Sequence, residues 1–304
     1  MVNWQDPEVI ESWNAVFVDI TFVILGLYGW SYIHSCQVES ALLRRQLPFQ
    51  WRMVPYLTGR TCFLVTLTLF AVMNIATPPD MDCYNALKFL AFSGNIVVAC
   101  SSTNLVIRTW TIWKTNWVRV FMALATLGHW FTLMLDSKET QISLPPPSFA
   151  SCGYLMVNPT YSAATSMYTT IFDFVLLKIT IFGYWRSSSS SLFTIIRTQG
   201  VIVYFIVFFA SIVPSIFSWL NFNCGDHVCV PEVLLVDGVI EDIMNVFFVW
   251  PATCIMVIAS GYAVIPTFNT PQSTSHRYRT SVRGPIVTEA KSNARITTCV
   301  VLSE

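Results

Sequence analysis

The chain has 304 residues, 54% of them hydrophobic and only 11% charged, and its 17 basic and 17 acidic residues cancel to zero net charge. Soluble domains carry about a quarter charged residues, so water is excluded as the main solvent. A nucleic-acid partner is excluded as well, because the basic residues are spread along one surface instead of lining a groove.

Residues 1–13 hold no Lys or Arg, so no charged n-region precedes the first apolar run and the first span is expected to act as its own translocating anchor. Seven apolar stretches follow: Asn14–His34, Met53–Ile75, Leu87–Arg108, Val118–Leu135, Ala164–Trp185, Gly200–Asn221 and Asp237–Tyr262. About 20 helical residues cross the ~30 Å hydrocarbon layer, which matches these lengths. The sequence therefore predicts an all-α polytopic membrane protein, with a seven-helix transmembrane domain over 14–262. The Ser/Thr-rich remainder, 263–304, reads as a disordered tail.

Alternate connections differ in charge. Arg44, Arg45 and Arg52, then Arg108, Lys114 and Arg119, then Arg186 and Arg197, then the tail from Arg277 to Arg295 contribute thirteen basic residues on one side, against Lys138 alone on the other. Basic residues near span ends stay cytoplasmic, so the N-terminus is expected outside and the C-terminus inside, most simply at the plasma membrane. No Asn-x-Ser/Thr acceptor marks the outer side, since Asn158 is followed by Pro159.

On that orientation Cys83, Cys152, Cys224 and Cys229 face the oxidising compartment, where disulfides persist. Four cysteines allow three pairings. Cys83, just before span three, and Cys152, in the long outer loop Asp136–Ala163, are the expected pair; Cys224 and Cys229 are spaced to close a small loop of their own. The outer loop carries Pro145, Pro146 and Pro147, a rigid extended run. The inner connection Arg186–Gln199 holds five consecutive serines, Ser187–Ser191, the composition of a flexible linker. Trp13, Trp30, Tyr32, Trp51, Tyr56, Trp110, Trp113, Trp117, Tyr184, Trp185 and Trp219 gather at span ends, as interfacial anchors do. Pro214 and Pro251 are expected to kink spans six and seven.

Ionisable groups inside the bilayer cost about 2.5–3.5 kcal/mol each at its centre and single out candidate sites. Asp173, midway along span five, and Arg60, two turns above the inner end of span two, differ in height by about the reach of an arginine side chain, and a contact between them is expected. The competing reading has Arg60 snorkelling to the inner surface and Asp173 facing a water pocket. Asp19, near the outer surface, completes the set together with Asp237, Glu241 and Asp242 at the outer start of span seven. Carboxylates at a helix N-terminus are favoured by its dipole, and the same three would suit a vestibule for a cation. Arg108, at the inner end of span three, is the candidate cytoplasmic switch. The histidines His34, His129, His227 and His276 never share a span, which excludes paired haem ligation within the bundle. No metal, phosphate-loop or hydrolase motif appears, so no cofactor is expected.

The opening Met1-Val-Asn-Trp-Gln-Asp-Pro7, Cys83, Leu105–Trp113, Phe172-Asp-Phe-Val-Leu-Leu177 and Arg197-Thr-Gln-Gly-Val-Ile-Val-Tyr-Phe205 resemble a family of functionally uncharacterised seven-transmembrane proteins of basidiomycete fungi. The resemblance implies the seven-helix fold and carries no activity. A looser likeness to G-protein-coupled receptors rests on topology, the Cys83/Cys152 placement and Arg108; the Asp-Arg-Tyr and Asn-Pro-x-x-Tyr patterns are absent. The expected function is a receptor-like sensor of an extracellular small molecule that signals to a cytoplasmic protein. The alternatives are a transporter or channel for a small solute or cation, and an enzyme of the terpenoid-cyclase kind using a buried acid. A repeat of two halves, common in transporters, is not visible.

Overall fold

A computed structural model of the chain describes residues 7–45, 49–75, 82–113, 115–139, 141–143, 154–156, 159–186, 191–220 and 248–268. Eight helices occupy them: α1 (Pro7–His34), α2 (Gln37–Leu43), α3 (Met53–Ile75), α4 (Cys83–Ile112), α5 (Asn116–Glu139), α6 (Pro159–Arg186), α7 (Ser191–Leu220) and α8 (Val249–Phe268). Six of them, α1 and α3 through α7, are long and apolar enough to cross a bilayer, which makes the chain an integral membrane protein. The described apolar part of α8, Val249–Ala263, is shorter. The expected seventh span begins at Asp237, outside the described residues.

Local chemistry explains the helix ends. Asp82 caps α4, its carboxylate accepting from the Asn85 backbone N–H at 3.3 Å and from Asn85 Nδ2 at 2.6 Å. Proline opens α1 and α6, at Pro7 and Pro159, where its missing N–H is not needed. Helix α2 ends through Arg45, whose φ of 56° places it in the left-handed region that closes many helices. Most helices overrun their apolar stretch: α6 starts five residues before Ala164 and α7 nine before Gly200. Charge and polarity set where lipid ends, whereas backbone hydrogen bonding sets where helix ends, and the second boundary lies further out. The expected linker Arg186–Gln199 is corrected accordingly, since α7 already includes Ser191.

The central helix is α4. Some 61% of its apolar window is buried, against 17–44% in the other spans, and it packs against α3, α5, α6 and α8. Small residues let it approach α3 closely: a Cβ on Gly59 would lie 3.0 Å from Cys100 Cβ. Hydrophobic attraction is weak between helices already in lipid, so polar contacts supply much of the specificity. Thr66 Oγ1 donates to Ser93 Oγ (2.8 Å) between α3 and α4. Asn95 Nδ2 donates to the Leu133 carbonyl (3.2 Å), Asp136 (3.1 Å) and Ser137 (2.8 Å) between α4 and α5. Trp113 Nε1 reaches the Ile179 carbonyl of α6 at 3.2 Å. Of the anchors expected at span ends, Trp30, Trp51, Trp117, Trp185 and Trp219 are exposed, whereas Tyr56 and Tyr184 are corrected: both are buried, Tyr56 against Arg60 and Tyr184 beside Gly200.

A two-stranded antiparallel ribbon, β1 (Gln141–Ser143) and β2 (Tyr154–Met156), pairs Ile142 with Leu155 and lies against α4. It occupies the loop expected to be an extended proline stretch; Pro145–Pro147 themselves are outside the described residues. Pro251 lies in the first turn of α8 among the described residues, where a missing N–H costs little.

Candidate functional site

Three polar centres lie within the bundle. The first is a seam between α6 and α7. Thr170 Oγ1 donates to the Ser211 carbonyl (3.1 Å) and lies 2.5 Å from Ser215 Oγ, and Ser215 Oγ reaches the Ser166 carbonyl at 2.9 Å. One turn further along α6, Asp173 is 3% exposed and its Oδ2 accepts from Ser211 Oγ. Its Oδ1 has no hydrogen-bond partner among the described residues. Pro214 sits within this seam, and without its N–H the Ala210 carbonyl loses its helical donor. Beside the seam, His129 of α5 is fully buried, stacked on Phe172 with centroids 4.9 Å apart, and neither ring nitrogen has a partner among the described residues.

The second centre is Arg60. Its Nη1 pairs with Glu39 Oε1 at 2.7 Å and donates to the Tyr56 hydroxyl; its Nη2 donates to the Tyr32 carbonyl (3.1 Å) and Ser35 Oγ (2.7 Å). Its guanidinium lies 4.6 Å from the Tyr32 ring centroid, and Tyr28 Oη donates to its own carbonyl at 3.0 Å. An adjoining cavity of about 20 Å³, lined by Tyr28, Ser31, Arg60 and Gly261 among others, holds about one water. The Asp173–Arg60 contact expected from their heights is thus corrected. Arg60 turns toward the α1–α2 junction, where carbonyls and Glu39 are within reach, and Asp173 bonds across to α7 instead. Equal depth fixes neither the direction a side chain takes around its helix nor the presence of an acid in a neighbouring connection.

Arg108 is the third. Its Nη1 donates to the Ala263 carbonyl of α8 at 2.9 Å. A Cβ on Gly200 of α7 would stand 2.5 Å from Arg108 Nη2 and 2.9 Å from the Tyr184 hydroxyl of α6, so glycine is what lets these groups meet. Next to it on α4, Thr109 Oγ1 meets Thr180 Oγ1 (3.0 Å) and Tyr204 Oη (2.8 Å), and Tyr204 Oη reaches the Leu105 carbonyl (2.8 Å). Arg108 thereby ties α4 to α8, close beside Gly200 of α7.

The remaining candidates are dispersed. Asp19 is exposed on α1, turned away from all three centres. Asp237, Glu241 and Asp242 lie outside the described residues. Cys36, Cys62, Cys100 and Cys254 are free thiols, whereas Cys83 is disulfide-bonded; Cys152, Cys224 and Cys229 are outside the described residues. No group of three His, Cys, Asp or Glu converges among the described residues. Sequence reasoning missed Glu39, hidden in a connection, and the seam serines, which look like ordinary small residues of a span. His129 shows in the sequence only as a lone histidine of span four, and nothing there marks its burial. No protein-family model, curated protein or solved structure matches the chain.

Proposed function

We propose that the chain is a receptor-like sensor with seven spans, its N-terminus outside and its C-terminus in the cytoplasm of the plasma membrane, and that it belongs to the fungal seven-transmembrane group its motifs resemble. The observation that carries the reading is the Arg108 junction. A charged donor held by a backbone carbonyl, with no carboxylate opposite it among the described contacts, is a tie that can be exchanged for another acceptor. Outward movement of α7 and α8 would break it and open the basic inner face to a signalling protein. The outer end supports the same reading. The ribbon lies against α4, whose first residue Cys83 is disulfide-bonded, and we assign Cys152, two residues before β2, as the partner. That bond would tether the loop above a small-molecule site.

The test is guanine-nucleotide exchange on a purified G-protein heterotrimer, added to the full chain in lipid nanodiscs. The reading expects a measurable basal rate that rises severalfold in Arg108→Ala. No exchange with either protein, together with solute or proton flux in proteoliposomes, overturns it in favour of a transporter. That second reading has its own support in Asp173, a buried acid in mid-bundle with an oxygen left over.

A further inference from the structure

We propose that Asp173, Ser211 and Ser102 form a binding site for a small monovalent cation of sodium size, buried between α4, α6 and α7. The argument begins with protons. Ser211 Oγ carries one hydrogen and faces two oxygen acceptors, the Val207 carbonyl at 2.9 Å and Asp173 Oδ2, with the weaker Met256 Sδ at 3.9 Å. When that hydrogen serves Val207, a hydroxyl oxygen and a carboxylate oxygen face each other with nothing positive between them. Asp173 makes no ion pair among the described residues, and its Oδ1 is also unpartnered. A lone buried carboxylate is relieved either by a proton or by a compensating cation, and the two compete for the same oxygens.

Helix geometry supplies the third oxygen. Seven residues are about two turns and return a helix to nearly the same face. Thr109, Thr180 and Tyr204 meet in one layer; moving seven residues outward along each helix gives Ser102, Asp173 and Ser211. The step is confirmed on two of the helices by the Ser211–Asp173 bond. On the third, Val98 and Leu105 flank Ser102 on the face that packs into the cluster of Phe172, Leu176 and Val207. Ser102 is fully buried, and its Oγ has no partner among the described residues. One negative charge and two hydroxyls suit a hard monovalent ion. A divalent ion would seek more carboxylates, and a transition metal would seek His or Cys.

The experiment is thermal unfolding of the full chain in nanodiscs, at one pH and one ionic strength, in lithium, sodium, potassium or choline chloride. Sodium is expected to raise the midpoint relative to choline. The effect is expected to vanish in Asp173→Asn, and its half-maximal concentration to rise about tenfold in Ser102→Ala and Ser211→Ala. The serine variants carry the test if Asp173→Asn fails to fold. Identical midpoints in sodium and choline, or a sodium effect unchanged in both serine variants, overturn the site. The site is independent of the signalling reading: absent nucleotide exchange leaves the sodium effect standing, and an absent sodium effect leaves exchange untouched.

Discussion

At the scale of the residue, the Arg60 cluster is asymmetric, and that asymmetry is measurable. Deleting Arg60 strands Glu39, which has no other hydrogen-bond partner among the described residues, whereas deleting Glu39 leaves Arg60 bonded to Tyr56, Tyr32 and Ser35. Arg60→Gln is expected to cost about 3–5 kcal/mol and Glu39→Gln about 1–2 kcal/mol, read as an ordered pair of losses in thermal stability. Because Asp173 belongs to a different centre, Arg60→Gln and Asp173→Asn are expected to add within about 0.5 kcal/mol; a double mutant sturdier than that sum would restore the abandoned pair. Gly59→Ala makes a second test. Its new methyl would meet Cys100 Cβ at 3.0 Å, an atom fixed to its backbone, so α3 and α4 must separate, at about 1–3 kcal/mol. If the stability of that variant equals the parent's, the two helices are looser than described. Depth alone identified Arg60 and Asp173 as residues needing partners. It could not choose the partners, because that choice depends on rotation about each helix axis.

At the scale of the element, the spans were the legible part. A bilayer demands length and apolarity together, and both can be counted along a chain. Helix α2 escaped because seven residues are too few to show a period, and its identity rests on Val38 and Leu42 packing with Met53 and Tyr56. The ribbon escaped because three-residue strands leave no alternation to read. The α6–α7 seam escaped for a different reason. Thr170 and Ser215 satisfy themselves either against their own helix or across to its neighbour, and sequence cannot tell which. A double-mutant cycle of Thr170→Val and Ser215→Ala is expected to give a coupling of about 0.6 kcal/mol, with ~1.7 kcal/mol as a ceiling, as hydrogen bonds between membrane helices do. Zero coupling would mean that these hydroxyls serve only their own helices.

At the scale of the whole molecule, the charge asymmetry makes one prediction for every connection at once. Single cysteines placed at Arg44 and at Asp82, in a background free of all nine native cysteines, are expected to label from opposite faces of sealed vesicles. A membrane-impermeant maleimide applied to intact cells would reach only the second. Labelling of both positions from one side rejects the orientation. Non-reducing peptide mapping is expected to recover Cys83 joined to Cys152; recovery with Cys224 or Cys229 instead would detach the ribbon loop from α4 and remove the tether from the sensor reading.

Among the described residues, every group that satisfies the Arg60 guanidinium comes from the stretch between Tyr32 and Tyr56, and Tyr28 closes on the carbonyl of Arg60 itself. The assembly is therefore complete once α3 has left the ribosome, while α4 is still inside it. A chain is made from its N-terminus, and early segments fold while later ones are still absent. The arginine that would be hardest to place in lipid is thus provided for by what precedes it, and the first two spans form a unit of biogenesis. A nascent chain halted just after α4, with α3 clear of the ribosome and α4 still inside it, is expected to insert both α1 and α3, and Glu39→Ala is expected to lower the inserted fraction of α3 in that halted chain.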